Sequence, residues 1–294
     1  MLPNFIGIGA PKAGTTWLFQ CLREHPQVFI APCKETNFFD YGTIAGRLHE
    51  YQAHFSGAAG QLAVGEISTR YLTSMCAPER ILNYLPAARL FVTLRNPIEQ
   101  IYSHYWHLSR QNFHQWSRAT APATFEQALE QYQDRLLGPA RYARHIERWL
   151  KHFDRSQLLV ILYDDIETRP AEVMQTLCEF LRVDARFQAP SLQRRDATVR
   201  QGTSPRSPLH ARLHASLYRQ INRGLYAPLK KIVGTNSAIR LKDTLRVRPI
   251  MEALFQRQGY PPMSRQTRAL LYDRVAPDIQ ELAGLIDRDL SRWQ

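Results

Sequence analysis

Residues 5–18 read FIGIGAPKAGTTWL, and the fold follows from them. Phe5-Ile6-Gly7-Ile8-Gly9 is a short apolar run ending in glycine, the pattern of a buried parallel strand that enters a tight turn. From Thr15 to Glu24, the apolar residues Trp17, Leu18, Cys21 and Leu22 recur at helical spacing. A strand, a glycine-containing loop and a helix therefore open the chain. Within it, Gly9 to Thr16 (GAPKAGTT) keeps the outline GxxxxGK[ST] of a phosphate-binding loop. Both glycines and Thr16 are in register. Thr15 stands where the lysine belongs, and the lysine has moved into the loop as Lys12. Glycines let the backbone close around phosphate, and the first amides of the following helix bind the anion. The helix-borne lysine that reaches a β/γ-phosphate is lost. What remains suits a 5′-phosphate with a cation over the bond beyond it.

The rest of the chain continues the alternation. Gln61–Ile67 (QLAVGEI), Ala88–Leu94 (ARLFVTL) and Gln157–Tyr163 (QLLVILY) read as further core strands. Helical patterns fall at Pro97–Arg110, Thr124–Arg135, Arg141–Phe153 and Ala171–Leu181, with two last helices at Ser264–Val275 and Pro277–Trp293. Strands alternating with helices predict a three-layer α/β/α fold around a central parallel sheet. One domain over residues 1–294 is expected, since α/β domains of this length are common. Gln188–Pro208 is polar and rich in Arg, Ser and Pro, and reads as a long loop.

Composition sets further bounds. The net charge of +12 is concentrated between Phe187 and Arg248, where thirteen Lys/Arg face only Asp196 and Asp243. Such an excess calls for a polyanionic partner: a nucleotide, an acidic glycan, a nucleic acid or an anionic lipid surface. Cys21, Cys33, Cys76 and Cys178 are scattered, with no CxxC pair, and read as reduced, mostly buried thiols. The N-terminus lacks the basic segment and the run of about 7–15 apolar residues of a secretory signal. No window approaches the roughly 18 apolar residues of a membrane span. A cytoplasmic protein beginning near Met1 is expected.

At this point the chain resembles the sulfotransferases that use 3′-phosphoadenosine 5′-phosphosulfate (PAPS), a family with a P-loop-related fold. In that family a strand is followed by PKxGTTWL or a close variant, and residues 11–18 here read PKAGTTWL. A second signature is an Arg at a strand end with a Ser eight residues later on the next helix; here LFVTLRNPIEQIYSHY supplies Arg95 and Ser103. The resemblance implies PAPS as co-substrate, adenosine 3′,5′-bisphosphate as product, and no metal. It assigns the 5′-phosphosulfate to Lys12, Ala13, Gly14, Thr15, Thr16 and Trp17, and the 3′-phosphate to Arg95 and Ser103. A late loop that closes over the 3′-phosphate and adenine maps to TVRQGTSPRS, with Arg200, Gly202 and Arg206.

Sulfuryl transfer to an acceptor hydroxyl needs a base, cations on the transferring group, and in-line alignment. The resemblance gives Lys12 the cation's role. The stretch KETNFFD, Lys34 to Asp40, is similar to the ExxFFD segment of heparan-sulfate-type and related bacterial members, which makes Glu35 the base. The plain alternative for Glu35 is a loop carboxylate paired with Lys34. The histidine that small-molecule members use is missing from GEISTRYL, Gly65 to Leu72, where Glu66 is the reserve candidate. Heparan-type enzymes often carry a lysine directly after that glutamate, whereas this chain has Ile67. His104 and His107 are read as satisfied histidines on a packed aromatic helix.

Two other classes compete with this reading. A P-loop small-molecule kinase would use Asp164 and Asp165, which close QLLVILYDD like a Walker B strand, but Thr15 occupies the place of its lysine. A basic nucleic-acid-binding protein would need a recognition motif, and no helix-turn-helix, zinc or RNA-binding signature is present, so nucleic acid is not an expected partner. The acceptor is left open among carbohydrate, lipid-linked and small natural-product hydroxyls. Acceptor specificity is expected in residues 107–137 and in the basic, variable helical region 209–261. There Leu209, Leu213, Leu217 and Ile221 form an apolar stripe beside Arg212, Arg219 and Arg223. That pattern fits weak peripheral association with anionic membranes, or equally a helix packed on the core.

Overall fold

The fold is described from a computed structural model. The structure describes residues 1–110, 124–192, 203–205 and 256–294, with single helical positions at 210, 213, 217, 220 and 254. In chain order the elements are β1 (Phe5–Gly9), α1 (Thr15–Glu24), β2 (Val28–Ile30), α2 (Leu48–Ala53), β3 (Ala63–Ile67), α3 (Ala77–Tyr84) and β4 (Arg89–Leu94). They continue with α4 (Pro97–Arg110), α5 (Phe125–Gln131), α6 (Gln133–Leu137), α7 (Tyr142–Leu150), β5 (Leu158–Leu162), α8 (Tyr163–Thr168) and α9 (Pro170–Leu181). A short β6 (Thr203–Pro205) and β7 (Gln256–Gln258) precede α10 (Arg265–Ile286).

Five strands form one parallel sheet in the order β2-β3-β1-β4-β5. β1 is central, so its C-terminal end and the loop after it sit in the middle of the sheet edge. Successive side chains of a strand point to opposite faces. Phe5 and Phe91 join a core cluster with Trp17, Leu18 and Leu22 of α1 and Met174, Leu177 and Leu181 of α9. Their neighbours Ile6, Ile8, Leu90 and Val92 turn to the other face and are also fully buried. Both faces are therefore covered, as the near-continuous apolar runs predict for a parallel sheet. Gly65 of β3 has a packing reason: a Cβ there would lie 2.4 Å from the carbonyl oxygen of Phe5.

Two compact units are distinguished. The first comprises Met1–Ile101, Asp134–Arg200 and Arg265–Gln294, and holds the sheet with α1, α7, α9 and α10. The second comprises Tyr102–Gln133 and Gln201–Ser264. In it, β6 pairs antiparallel with β7, and Ser204 Oγ donates to the Gly259 carbonyl at 2.8 Å.

Three local expectations are corrected. The helix expected over 124–135 breaks at Tyr132, whose φ of −133° and ψ of 39° leave helical space, and resumes as α6. The two last helices are one: α10 runs through Pro277. An interior proline costs about 3 kcal/mol, but Leu271, Val275, Ile279, Leu282 and Ile286 bury along the same helix, and that packing offsets it. The thiols divide: Cys21 and Cys178 are buried, Cys76 is half-buried and Cys33 is exposed. Burial pushes the Cys21 thiol up to about 12, so it stays protonated and inert.

A buried histidine in α7 gives the fold a pH dependence. His145 lies 2.8 Å from the Gly138 carbonyl through Nε2 and 2.9 Å from Arg148 Nη2 through Nδ1. Because arginine only donates, Nδ1 accepts and Nε2 carries the proton, which fixes a neutral ring. Burial first, then the charges of Arg148, Arg144 and Arg141, hold its pKa down at about 4 against the ordinary 6.5. A depressed folded-state value means stability that is complete above about pH 6.5 and is lost as pH falls through about 4. Urea unfolding between pH 4 and 7 should show this loss, and His145→Gln should reduce it. An unchanged pH slope in that variant would refute the assignment.

Candidate active site

The loop between β1 and α1 is anchored from β4. Ala10 N donates to the Thr93 carbonyl at 2.8 Å, and Thr93 Oγ1 donates to the Gly9 carbonyl at 3.1 Å. Gln100 Nε2 and Arg95 Nη1 reach the Pro11 and Lys12 carbonyls at 3.2 and 3.5 Å. With its carbonyls engaged from behind, the loop presents the N-terminus of α1, whose first amides have no intrahelical acceptor. Two residues carry left-handed backbone, Lys12 at φ 67° and Gly14 at φ 88°. At Gly14 a Cβ would also stand 3.0 Å from Tyr163 Cδ2, so the turn requires glycine. Ala13 and Thr15 are buried and Thr16 is exposed. Trp17 turns into the core at 2 % exposure, with its buried indole Nε1 unpartnered among the described residues.

Arg95 leaves the end of β4 toward this loop. Its guanidinium lies 4.8 Å from the centroid of the Tyr163 ring and 4.0 Å from Glu99, which itself pairs with Arg268. The side chain retains 25 % of its exposure, so the cation is held and still reachable. Ser103 lies within α4 and is buried; its hydroxyl is 3.1 Å from Tyr260 Oη, and Trp106 stacks on the Tyr260 ring at 5.9 Å. In the same unit, Tyr102, Tyr105, Trp106 and Phe125 line a pocket of about 280 Å³ together with Pro261 and Met263. The His104 and His107 rings lie 6.5 Å apart on α4.

The two glutamates occupy contrasting positions. Glu66 on β3 is 1 % exposed and encircled by hydroxyls: Thr36 at 2.5 Å, Tyr51 at 2.8 Å, Ser68 at 2.8 Å and Tyr71 at 3.0 Å. Burial and the Glu66 charge push the Tyr51 and Tyr71 phenols up, so both stay protonated donors. Through Thr36 and Glu66, and through Asn37 N and Ser68 Oγ at 3.0 Å, the 34–40 segment is tied to the end of β3. Glu35 is 25 % exposed, and its two oxygens share the single Thr69 Oγ1 proton, each at 2.9 Å. The pair with Lys34 that the plain alternative proposes does exist, at 3.5 Å. It is not a surface pair: Lys34 is only 16 % exposed, and its Nζ also donates to Thr15 Oγ1 at 3.3 Å.

Sequence reasoning did not reveal the reach of Lys34 to Thr15, the part of Thr69, or the contacts of Tyr163 and Tyr260. No periodicity or spacing connects these residues to their partners. Asp164 and Asp165, the carboxylates of the kinase alternative, are committed elsewhere. Asp164 accepts from the buried Trp293 indole at 2.5 Å, and Asp165 pairs with Arg169 and Arg288, each at 2.7 Å. Arg200, Gly202 and Arg206 lie outside the described residues, as does most of the basic stretch 187–248. Of the apolar stripe, Leu213 and Leu217 are described and are 45 % and 39 % exposed. Among the described residues no helix is long and apolar enough to cross a membrane.

Comparisons with known proteins place the chain in a family. Residues 2–200 match the family model described as the sulfotransferase domain. Over 196 residues the chain is 31% identical to the bifunctional heparan sulfate N-deacetylase/N-sulfotransferase 2 of Bos taurus, covering 62% of this chain and 22% of that protein. Over 196 residues it is 33% identical to the corresponding protein 1 of Mus musculus, with the same coverage of 62% and 22%. The chain thus spans about a fifth of the length of these curated relatives. Among solved structures, a sulfotransferase from Alicyclobacillus acidocaldarius shares the fold at a TM-score of 0.65 and 24% identity, over 100% of this chain and 99% of that one. A sulfotransferase domain from the curacin biosynthetic pathway matches at a TM-score of 0.50 and 15% identity, over 65% and 77% of the two chains. With the family model covering well over half of the residues, the chain belongs to the sulfotransferase domain family.

Proposed function

We propose that this chain, acting as a single sulfotransferase domain, transfers a sulfuryl group from PAPS to an acceptor hydroxyl on a carbohydrate, a lipid-linked molecule or a small natural product. The observation that carries the reading is the contact of Lys34 Nζ with both Glu35 Oε1, at 3.5 Å, and Thr15 Oγ1, at 3.3 Å. It ties the candidate base to the phosphate loop. The loop also fits the donor. Its turn at Gly14 has φ 88° and would set a Cβ 3.0 Å from Tyr163 Cδ2, and the α1 N-terminus favours a phosphate.

When bound, PAPS supplies an activated sulfuryl group and a bisphosphate leaving group. Thr15, Thr16 and the amides of Ala13 to Thr16 hold the 5′-phosphate, while the Trp17 amide already donates to the Gly14 carbonyl at 2.9 Å. Lys12 neutralises the charge that develops on the bridging oxygen as the S–O bond breaks. Glu35, fixed by Thr69, takes the proton from the acceptor hydroxyl as the new S–O bond forms. The family resemblance assigns the 3′-phosphate to Arg95 and Ser103, with Arg200, Gly202 and Arg206 as the candidates of the late loop. The curated relatives are named N-sulfotransferases, which favours an amine acceptor as the second reading. Parallel assays with hydroxyl and amine acceptors decide between the two.

A thermal-shift comparison of adenosine 3′,5′-bisphosphate, AMP and ATP with magnesium tests the donor. Stabilisation by a ligand grows with its concentration over Kd, so the bisphosphate should stabilise the protein well beyond AMP. Arg95→Ala should remove most of that difference, since a charge-assisted contact contributes about 1.5–3 kcal/mol. Equal shifts for AMP and the bisphosphate would remove the 3′-phosphate assignment, and a preference for ATP with magnesium would favour a kinase.

A further inference from the structure

Lys34 is placed unlike an ordinary surface lysine. Its neighbours Pro32 and Cys33 are exposed, yet its own side chain is folded inward to 16 % exposure, toward the phosphate loop. Burying an ammonium is costly unless anions or acceptors surround it. The two contacts it makes, 3.3 Å to a neutral hydroxyl and 3.5 Å to a carboxylate, are long for hydrogen bonds to a cation. Burial holds its pKa below the ordinary lysine value, with the Glu35 charge opposing that shift. A cation so placed gains from a further anion beside it, and the loop it touches is built to hold one.

Positioning of Glu35 does not account for this lysine. The Glu35 carboxylate is already held by Thr69 Oγ1, whose one proton is shared between its two oxygens at 2.9 Å each, closer than the contact with Lys34. The contact that the rest of the fold leaves unexplained is the one to Thr15, nineteen residues away in sequence and at the first turn of α1.

We propose that Lys34 is a second catalytic cation, whose Nζ binds the non-bridging oxygens of the sulfuryl group as it passes between the 5′-phosphate and the acceptor. This rests on the PAPS reading above. Lys12 then stays with the phosphate oxygen that keeps the electron pair of the broken S–O bond. Lys34 balances the charge on the moving group, and Glu35 receives the proton released by the acceptor. Lys34 forms and breaks no covalent bond.

The test compares two ligands that differ only in the sulfuryl group. Binding of PAPS and of adenosine 3′,5′-bisphosphate to the full chain is measured by calorimetry for the wild type, Lys34→Met and Lys34→Arg. Lys34→Met should weaken PAPS about tenfold to a hundredfold, the worth of one charge-assisted contact. Bisphosphate binding should change less than about threefold, and Lys34→Arg should recover part of the PAPS affinity. A merely structural lysine would weaken both ligands equally, and that outcome overturns the inference. So does a Lys34→Met variant that binds PAPS as the wild type does. If Lys34→Met does not fold, Lys34→Gln is measured in the same way with the same criteria. Failure of the underlying reading looks different, because the wild type itself would then bind neither ligand.

Discussion

Glu35→Gln is expected to lower turnover by about 10²–10⁴-fold, the usual cost of losing a general base, while leaving adenosine 3′,5′-bisphosphate binding nearly intact. Gln keeps the shape of the side chain and can still accept from Thr69 Oγ1, so the 34–40 segment should keep its place. What Gln cannot do is take a proton from the acceptor. Glu66→Gln should behave in the opposite way. Its four hydroxyl partners converge on a buried carboxylate, and an amide would put two N–H donors among them. One unsatisfied buried donor costs about 1–3 kcal/mol. Glu66→Gln should therefore lower the melting temperature and affect turnover only through stability. Turnover is read as bisphosphate released from PAPS with whichever acceptor supports it. Near-normal kcat in Glu35→Gln, with loss in a folded Glu66→Gln, would transfer the base to Glu66.

Lys12→Ala is expected to reduce kcat by about 10²–10³-fold, the range seen when one preorganised charge-stabilising donor is removed. The substitution isolates charge well. Lys12 has a left-handed backbone at φ 67°, and Ala carries the same Cβ as Lys, so the steric cost of that conformation is unchanged. The anchors of the loop, from Ala10 to Thr93 and from Gln100 to Pro11, use backbone atoms of neighbouring residues and should survive. Melting temperature should stay close to that of the wild type. The bisphosphate product lacks the bridging sulfuryl bond, so its affinity should fall much less than kcat. A Lys12→Ala enzyme within about threefold of normal turnover would refute the role.

Much of this protein was legible in its sequence, for physical reasons that are local. The strand, turn and helix that open the chain could be read because they are backbone chemistry packed into a few residues: glycine conformational freedom, a turn and a helix N-terminus. The strands could be read because a parallel sheet buried on both faces demands continuous apolar runs, and β1, β3, β4 and β5 supply them. β2, with only three residues, carries too little pattern to be seen. The place of Arg95 at a strand end was legible because Asn96-Pro97 begins a helix, whereas its assigned role came from the family resemblance.

Tertiary structure alone decided the rest. Glu35 and Glu66 are both carboxylates beside polar residues, and nothing in their spacing says which is buried. Four hydroxyls from three separate segments settle that for Glu66. Tyr260 meets Ser103 across 157 residues, and the packing along α10 outweighs the break that Pro277 predicts. Lys34 reads as the partner of its neighbour until folding carries its ammonium to Thr15. Sequence determines what a residue can do within its own turn of chain. Burial and long-range contact, which set its partners and its charge state, exist only once distant segments have packed together.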